Sequence, residues 1–181
     1  MATAAATIYT LGHSTRPLPE FLAVLHAHQI EILVDIRSFP MSRRHPHFNR
    51  EALEKSLPAE SIQYLWIKDL GGRRKKQLPD SPNIALRNES FRNYADYMLT
   101  ESFHSAAEQL IDLARSQRIA IMCAELLFFR CHRMLVSDYL SLHGHDVLHI
   151  QDTWPPRPHQ LTREARLIQG KVLYVGDQMI L

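Results

Sequence analysis

Cysteine occurs only twice in the 181-residue chain, at Cys123 and Cys131, and glycine only six times. Two thiols cannot staple a disulfide-dense secreted scaffold, so the expected setting is a reducing, cytoplasmic one. No stretch reaches the roughly 18 uncharged apolar residues of a membrane-crossing helix, and no membrane partner is expected. Met1 to Thr7 is small and apolar, but it lacks a basic n-region and runs straight into a strand pattern, so no signal peptide is read there. Neither sign of charge prevails: 21 Lys and Arg face 19 Asp and Glu, a net +2 that does not by itself imply a polyanion partner. Repeats and low-complexity tracts are lacking as well. With 45% apolar and 22% charged residues, the chain has the composition of one folded domain spanning 1–181.

Strand and helix patterns alternate along the chain. Ile8-Tyr9-Thr10-Leu11 is a short apolar run ended by Gly12, and Pro17 to Gln29 places Leu18, Phe21, Leu22 and Leu25 at helical spacing. Ile30 to Ile36 is β-branched and reads as a second, buried strand, which makes the first βαβ unit. A loop to Asn49, a short helix over Arg50 to Leu57 and a third strand over Ile62 to Ile67 follow. Lys68 to Asn88 reads as a long irregular loop of the kind that is usually functional or mobile. Helices are expected over Phe91 to Thr100 and Ser102 to Ser116, a fourth strand over Ile119 to Cys123, a helix over Cys131 to Leu142 and a fifth strand over Asp146 to Ile150. Beyond Trp154-Pro155-Pro156, Thr162 is suited to cap a short helix, and Lys171 to Leu181 reads as a hairpin turning at Gly176-Asp177. The fold class is therefore α/β: a mostly parallel sheet of about five strands, helices on both faces, and a C-terminal hairpin.

In such a sheet ligands bind beyond the carboxyl ends of the strands. That rule selects the segments after strands one, two and four, and each carries polar or reactive groups. Cys131-His132-Arg133 is the strongest of these signals. A helix starting there would aim backbone N–H groups at the Cys131 sulfur, and Arg133 with His132 would favour a nucleophilic thiolate. The same geometry also suits non-covalent anion binding, or a small apolar cysteine capping a core helix. Glu125 is a general acid or base, a group that orients His132 or an arginine, or a salt-bridge partner of Arg133 or Arg37. Cys123 lies in an apolar strand and reads as core. Gly12-His13-Ser14 can present a histidine, a hydroxyl and backbone N–H groups to an anion, or form a plain strand-to-helix turn. Alternation puts Asp35 and Arg37 on one side of strand two, where they serve a ligand or simply pair with each other.

Basic residues cluster twice. Arg37, Arg43, Arg44 and Arg50 fall in a segment without acids, and Arg73-Arg74-Lys75-Lys76 forms a second run. Interleaved with Phe39, His45, His47 and Phe48, these loops suit phosphate contacts and base stacking, a solvated surface, or a small acidic substrate. His13, His45, His47, Cys131 and His132 are conceivable metal ligands, but no spacing dictates a site and no metal or cofactor is assigned.

These residues together resemble the DUF488 family, a group of prokaryotic proteins classed by sequence. The resemblance rests on Thr10-Leu11-Gly12-His13-Ser14, Val34-Asp35-Ile36-Arg37-Ser38-Phe39-Pro40 with Ser42-Arg43-Arg44, and Leu70-Gly71-Gly72-Arg73. It continues through Tyr94-Ala95-Asp96-Tyr97-Met98 and Met122-Cys123-Ala124-Glu125 to Cys131-His132-Arg133. The blocks occur in family order over about 7–150, which leaves 151–181 as an extension. Leu126-Leu127-Phe128-Phe129 stands where the family has a polar, proline-containing link. A weaker analogy is to rhodanese-like sulfurtransferases and cysteine phosphatases, although Arg133 is too near Cys131 for the phosphatase Cys-x5-Arg spacing. The leading expectation is a pocket for a phosphorylated, nucleotide or other anionic ligand, with Cys131, Glu125 and His13 as catalytic residues. Ser14, Asp35, Arg37, Arg43, Arg44, His132 and Arg133 are the expected ligand-binding residues. The enzymatic class would be a thiol-dependent transferase or hydrolase. Alternatives are a nucleic-acid-binding module using loops 37–50 and 68–76, and a metal-dependent enzyme with His, Glu and Cys ligands.

Overall fold

The computed structural model describes residues 4–176. Six strands form one sheet: β1 (Thr7–Gly12), β2 (Ile32–Asp35), β3 (Gln63–Trp66), β4 (Ile119–Cys123), β5 (Asp146–His149) and β6 (Arg157–Pro158). Their spatial order is β3-β2-β4-β1-β5-β6. The first five are parallel, and the two-residue β6, which the sequence pattern did not announce, adds an antiparallel edge. The central strands β1, β2 and β4 are buried on both sides, which is why they read as continuous apolar runs rather than alternating ones.

Five helices cover the sheet. On one face α1 (Leu18–Ala27) and α2 (Arg50–Ala59) bury Phe21, Val24, Leu25, Leu53 and Leu57 against Leu11, Leu33 and Met122. On the other, α3 (Glu89–Tyr97), α4 (Glu101–Ser116) and α5 (Arg133–Leu142) bury Tyr94, Phe103, Leu110, Leu135 and Leu140 against Ile8, Val34 and Ile121. The helix starts have local causes. The Asn88 side chain accepts from the Phe91 N–H at 3.1 Å and the Thr100 hydroxyl from the Phe103 N–H at 3.4 Å, which caps α3 and α4. Prolines at the start of α1 forfeit no helical hydrogen bond there.

Two expectations need correction. The expected Cys131–Leu142 helix begins two residues later, at Arg133, so Cys131 lies just before it rather than in its first turn. Among the described residues no helix follows Thr162. That segment forms a turn and then a hairpin of β7 (Ala165–Ile168) and β8 (Lys171–Tyr174), which reverses at Gln169-Gly170. The expected turn at Gly176-Asp177 and its second arm fall mostly outside the described residues. The 68–88 loop is tied down instead of structureless. The Arg74 guanidinium donates to the carbonyls of Gly71, Lys68 and Asp69 and lies 3.5 Å over the Tyr97 ring. Tyr94 and Tyr97 hydroxyls donate to the Leu70 and Asp69 carbonyls.

The topology fixes where a crevice can open. Adjacent strands β1 and β4 hand the chain to α1 and α5 on opposite faces, so the loops beyond their carboxyl ends diverge.

Candidate functional site

An open cleft of about 1390 Å³ occupies that crevice, lined from all three segments that the sequence selected. The approach begins at Gly12. A Cβ there would stand 1.8 Å from the Glu125 carbonyl oxygen, so only glycine lets the end of β1 run beside the 124–126 loop. Beyond it the His13 and Ser14 N–H groups donate to the Cys123 and Ala124 carbonyls at 3.0 and 2.9 Å, which extends the β1–β4 pairing into the site. Ser14 takes a left-handed φ of +53°, so the turn carries local strain.

The end of β2 holds a buried ionic chain. The fully buried Asp35 carboxylate accepts from the Arg37 N–H, Nε and Nη2, the shortest at 2.5 Å, and from the Tyr64 hydroxyl at 2.7 Å. Arg37 also donates to the Phe48 carbonyl and, through Nη1, to His13 Nε2 at 3.2 Å. His13 Nδ1 must donate to the Ser14 carbonyl at 2.8 Å, because that oxygen can only accept. Both ring nitrogens are thus committed, and burial with the nearby Arg37 charge lowers the His13 pKa to about 4. The ring stacks on Phe48 at 4.2 Å.

The thiols sit where β4 ends. Cys123 Sγ and Cys131 Sγ are 3.1 Å apart. Arg133, only 1% exposed, donates Nε–H to Cys131 Sγ at 3.4 Å, Nη1–H to Thr10 Oγ1 at 3.3 Å, and Nη2–H to the Glu125 and Leu126 carbonyls. Among the described residues, no carboxylate pairs with this buried guanidinium. A buried charge demands a counter-charge, and the Cys131 thiolate is the one group in contact that can supply it. The Cys131 pKa is lowered to about 6: the S–H of Cys123 donates to the thiolate, and the charge and N–H groups of Arg133 outweigh its burial. Cys123 moves the other way, held protonated by that same hydrogen bond and by burial.

His132 does not contribute charge to the thiol. Its Nε2–H donates to the Ile36 carbonyl at 2.9 Å, and burial lowers its pKa to about 4, so the ring is neutral. It instead ties the start of α5 to the end of β2, with Gly72 so close that a Cβ there would lie 2.4 Å from Nδ1. Glu125 is exposed at the cleft and forms no ion pair with Arg133 or Arg37; its backbone carbonyl, not its carboxylate, meets Arg133. Arg43, Arg44 and Arg73 stand exposed on the rim, whereas Arg50 pairs with Glu54 and Arg74 is spent on backbone carbonyls.

The expected site residues are thus divided. His13, Ser14, Arg37, Arg43, Arg44, Glu125, Cys131 and His132 line the cleft, while Asp35 and Arg133 lie directly behind it. Cys123, read from the sequence as core, lines the cleft too, and Tyr64 was missed. A signal for Cys123 existed in its place as the last residue of the fourth strand, whose carboxyl end the strand-end rule had already selected. His45 and His47 do not join a metal group; His47 Nε2 is taken by the Arg16 carbonyl. Among the described residues, the group with ligand atoms close enough to hold an ion is Cys123, Cys131 and His132, all within 4.8 Å of one another.

The family model described as "Domain of unknown function DUF488" matches residues 17–140. The chain belongs to the DUF488 family. No curated protein and no solved structure matches it. The DUF488 match takes in the ends of β2 and β4, the whole 68–88 loop and all but the last two residues of α5, and therefore both thiols and the Asp35–Arg37 pair. The β1 end with Gly12, His13 and Ser14 and the 151–181 extension fall outside the matched span.

Proposed function

We propose that the cleft binds a small anionic substrate, of phosphorylated, nucleotide or other acidic kind, and that Cys131 attacks it in a thiol-dependent transfer or hydrolysis. The observation that carries this reading is the buried Arg133 guanidinium, whose one available counter-charge among the described residues is the Cys131 thiolate. Arg43, Arg44 and Arg73 on the rim favour an anion, and Glu125 is the only acid among the described lining residues. In this reading its exposed carboxylate moves a proton to a leaving group or from a water. His13, with both nitrogens committed, is a positioning residue that holds Arg37. Binding of long nucleic acids is the weaker reading, because Arg37 and Arg74 are spent on the protein's own groups and the exposed Arg50 is paired with Glu54.

The test is timed alkylation of the reduced protein, read by peptide mass spectrometry from pH 5 to 9. Cys131 should label with an apparent pKa near 6, faster with iodoacetate than with neutral iodoacetamide, while Cys123 lags. Equal labelling of the two thiols would overturn the nucleophile. Tight, salt-sensitive binding of random-sequence RNA at near-physiological salt would favour the nucleic-acid reading instead.

A further inference from the structure

The second thiol has so far served only as a hydrogen-bond donor to the Cys131 thiolate, yet its position is specific. Cys123 ends β4 in a fixed central strand, whereas Cys131 ends the irregular 124–131 segment, whose single 3-10 turn is Phe128–Arg130. Their sulfurs are 3.1 Å apart, and a disulfide needs about 2.05 Å, so an approach of about 1 Å would join them. The rigid strand holds one partner, and the loop can supply that movement to the other. Both thiols line the cleft, Cys131 the more exposed at 8% and Cys123 at 3%.

We propose that Cys123 and Cys131 form a two-electron dithiol–disulfide couple that reduces anionic low-molecular-weight disulfides. This inference rests on Cys131 being the nucleophile. The Cys131 thiolate attacks one sulfur of the substrate disulfide R–S–S–R; a Cys131–S–R bond forms and one thiolate R–S⁻ leaves, to be protonated by water. With Cys131 now uncharged, the hydrogen bond that kept Cys123 protonated is gone, and the Arg133 guanidinium is free to stabilise a Cys123 thiolate. That thiolate, its proton lost to water, attacks Cys131 Sγ. The Cys123–Cys131 bond forms and the second R–S⁻ departs. The substrate has gained two electrons as two thiols, and the protein has lost them. A low-molecular-weight thiol or dithiol reductant restores the pair by the reverse exchanges. The arginine rim selects the anionic member of the disulfide class.

The full reduced chain is exposed to oxidised glutathione or to the cationic disulfide cystamine, and followed by intact mass. Oxidised glutathione should produce a species lighter by two hydrogens with both thiols blocked, at least about tenfold faster than cystamine. Cys123→Ser should instead accumulate one glutathione, mapped to Cys131, and Cys131→Ser should take up none at that rate. A wild-type protein that keeps a stable glutathione adduct without closing the internal disulfide, while Cys131 still alkylates rapidly, overturns this inference and leaves the nucleophile standing. If Cys131 fails to alkylate rapidly, both readings fall. Retention of one zinc ion per reduced chain through desalting, with both thiols protected, also overturns it in favour of a Cys123-Cys131-His132 metal centre.

Discussion

At the residue scale, the site is held by two buried arginines with opposite solutions to the same problem. Arg37 has a carboxylate, Asp35; Arg133 has none among the described residues and leans on a thiol and three neutral oxygens. The first should be structural and the second chemical. Asp35→Asn leaves the Arg37 charge buried without its partner, so it should cost roughly 3–5 kcal/mol in urea unfolding. A loss under about 1 kcal/mol would mean that the carboxylate does not carry this pair. The Asp35–Arg37 contact was legible because residues two apart on a strand share a side. The Tyr64 hydroxyl on Asp35 and the Cys123 contact with Cys131 were not, because each joins segments whose separation in space depends on the packed sheet. An apolar strand also gives no local hint that its last residue, a cysteine, faces another thiol.

At the element scale, the C-terminal extension was the part least readable from sequence. The β7–β8 hairpin turns at Gln169-Gly170, with positive φ of 49° and 76° at the two positions. That backbone usually announces itself as Asn-Gly or Asp-Gly, so Gln-Gly concealed it. The extension is anchored by Asp138 on α5, which accepts from Tyr174 Oη and His159 Nε2, both at 2.9 Å, and from the Thr162 N–H. From His159 a chain of hydrogen bonds runs through His149 to Thr10, the residue that Arg133 also touches. The extension therefore braces the back of the thiol site. Asp138→Ala strands several buried donors at about 1–3 kcal/mol each, so it should lower stability by at least about 3 kcal/mol. Hydrogen exchange should show β7 and β8 losing protection first; unchanged protection there would refute the anchoring role.

For the whole molecule, alternating strand and helix patterns made the parallel sheet with helices on both faces legible, and the strand-end rule located the cleft. The strand order was not, since nothing local says that β4 inserts between β2 and β1. That insertion buries the strand ends among loops, and with them several groups that titrate near neutrality. Burial lowers His13 and His132 to about 4 and His149 to about 3, from an ordinary 6.5. Between pH 6.5 and 4 the unfolded chain therefore binds up to three protons that the folded chain refuses, and stability falls as the pH is lowered. At about 1.4 kcal/mol per pH unit for each proton, the steepest slope is about 4 kcal/mol per unit. Cys131 acts in the same direction at higher pH. Its thiol titrates near 6 when folded and 9.0 when unfolded, so between those values the unfolded chain holds the extra proton. Reduced protein should accordingly gain stability up to about pH 9, lose the Cys131 part as pH falls from 9 to 6, and lose the histidine part from 6.5 to about 3. Urea midpoints measured at half-unit steps check this. Cys131→Ser should flatten the upper limb alone, and a wild-type curve already flat between pH 6 and 9 would mean that Arg133 is not balanced by a thiolate.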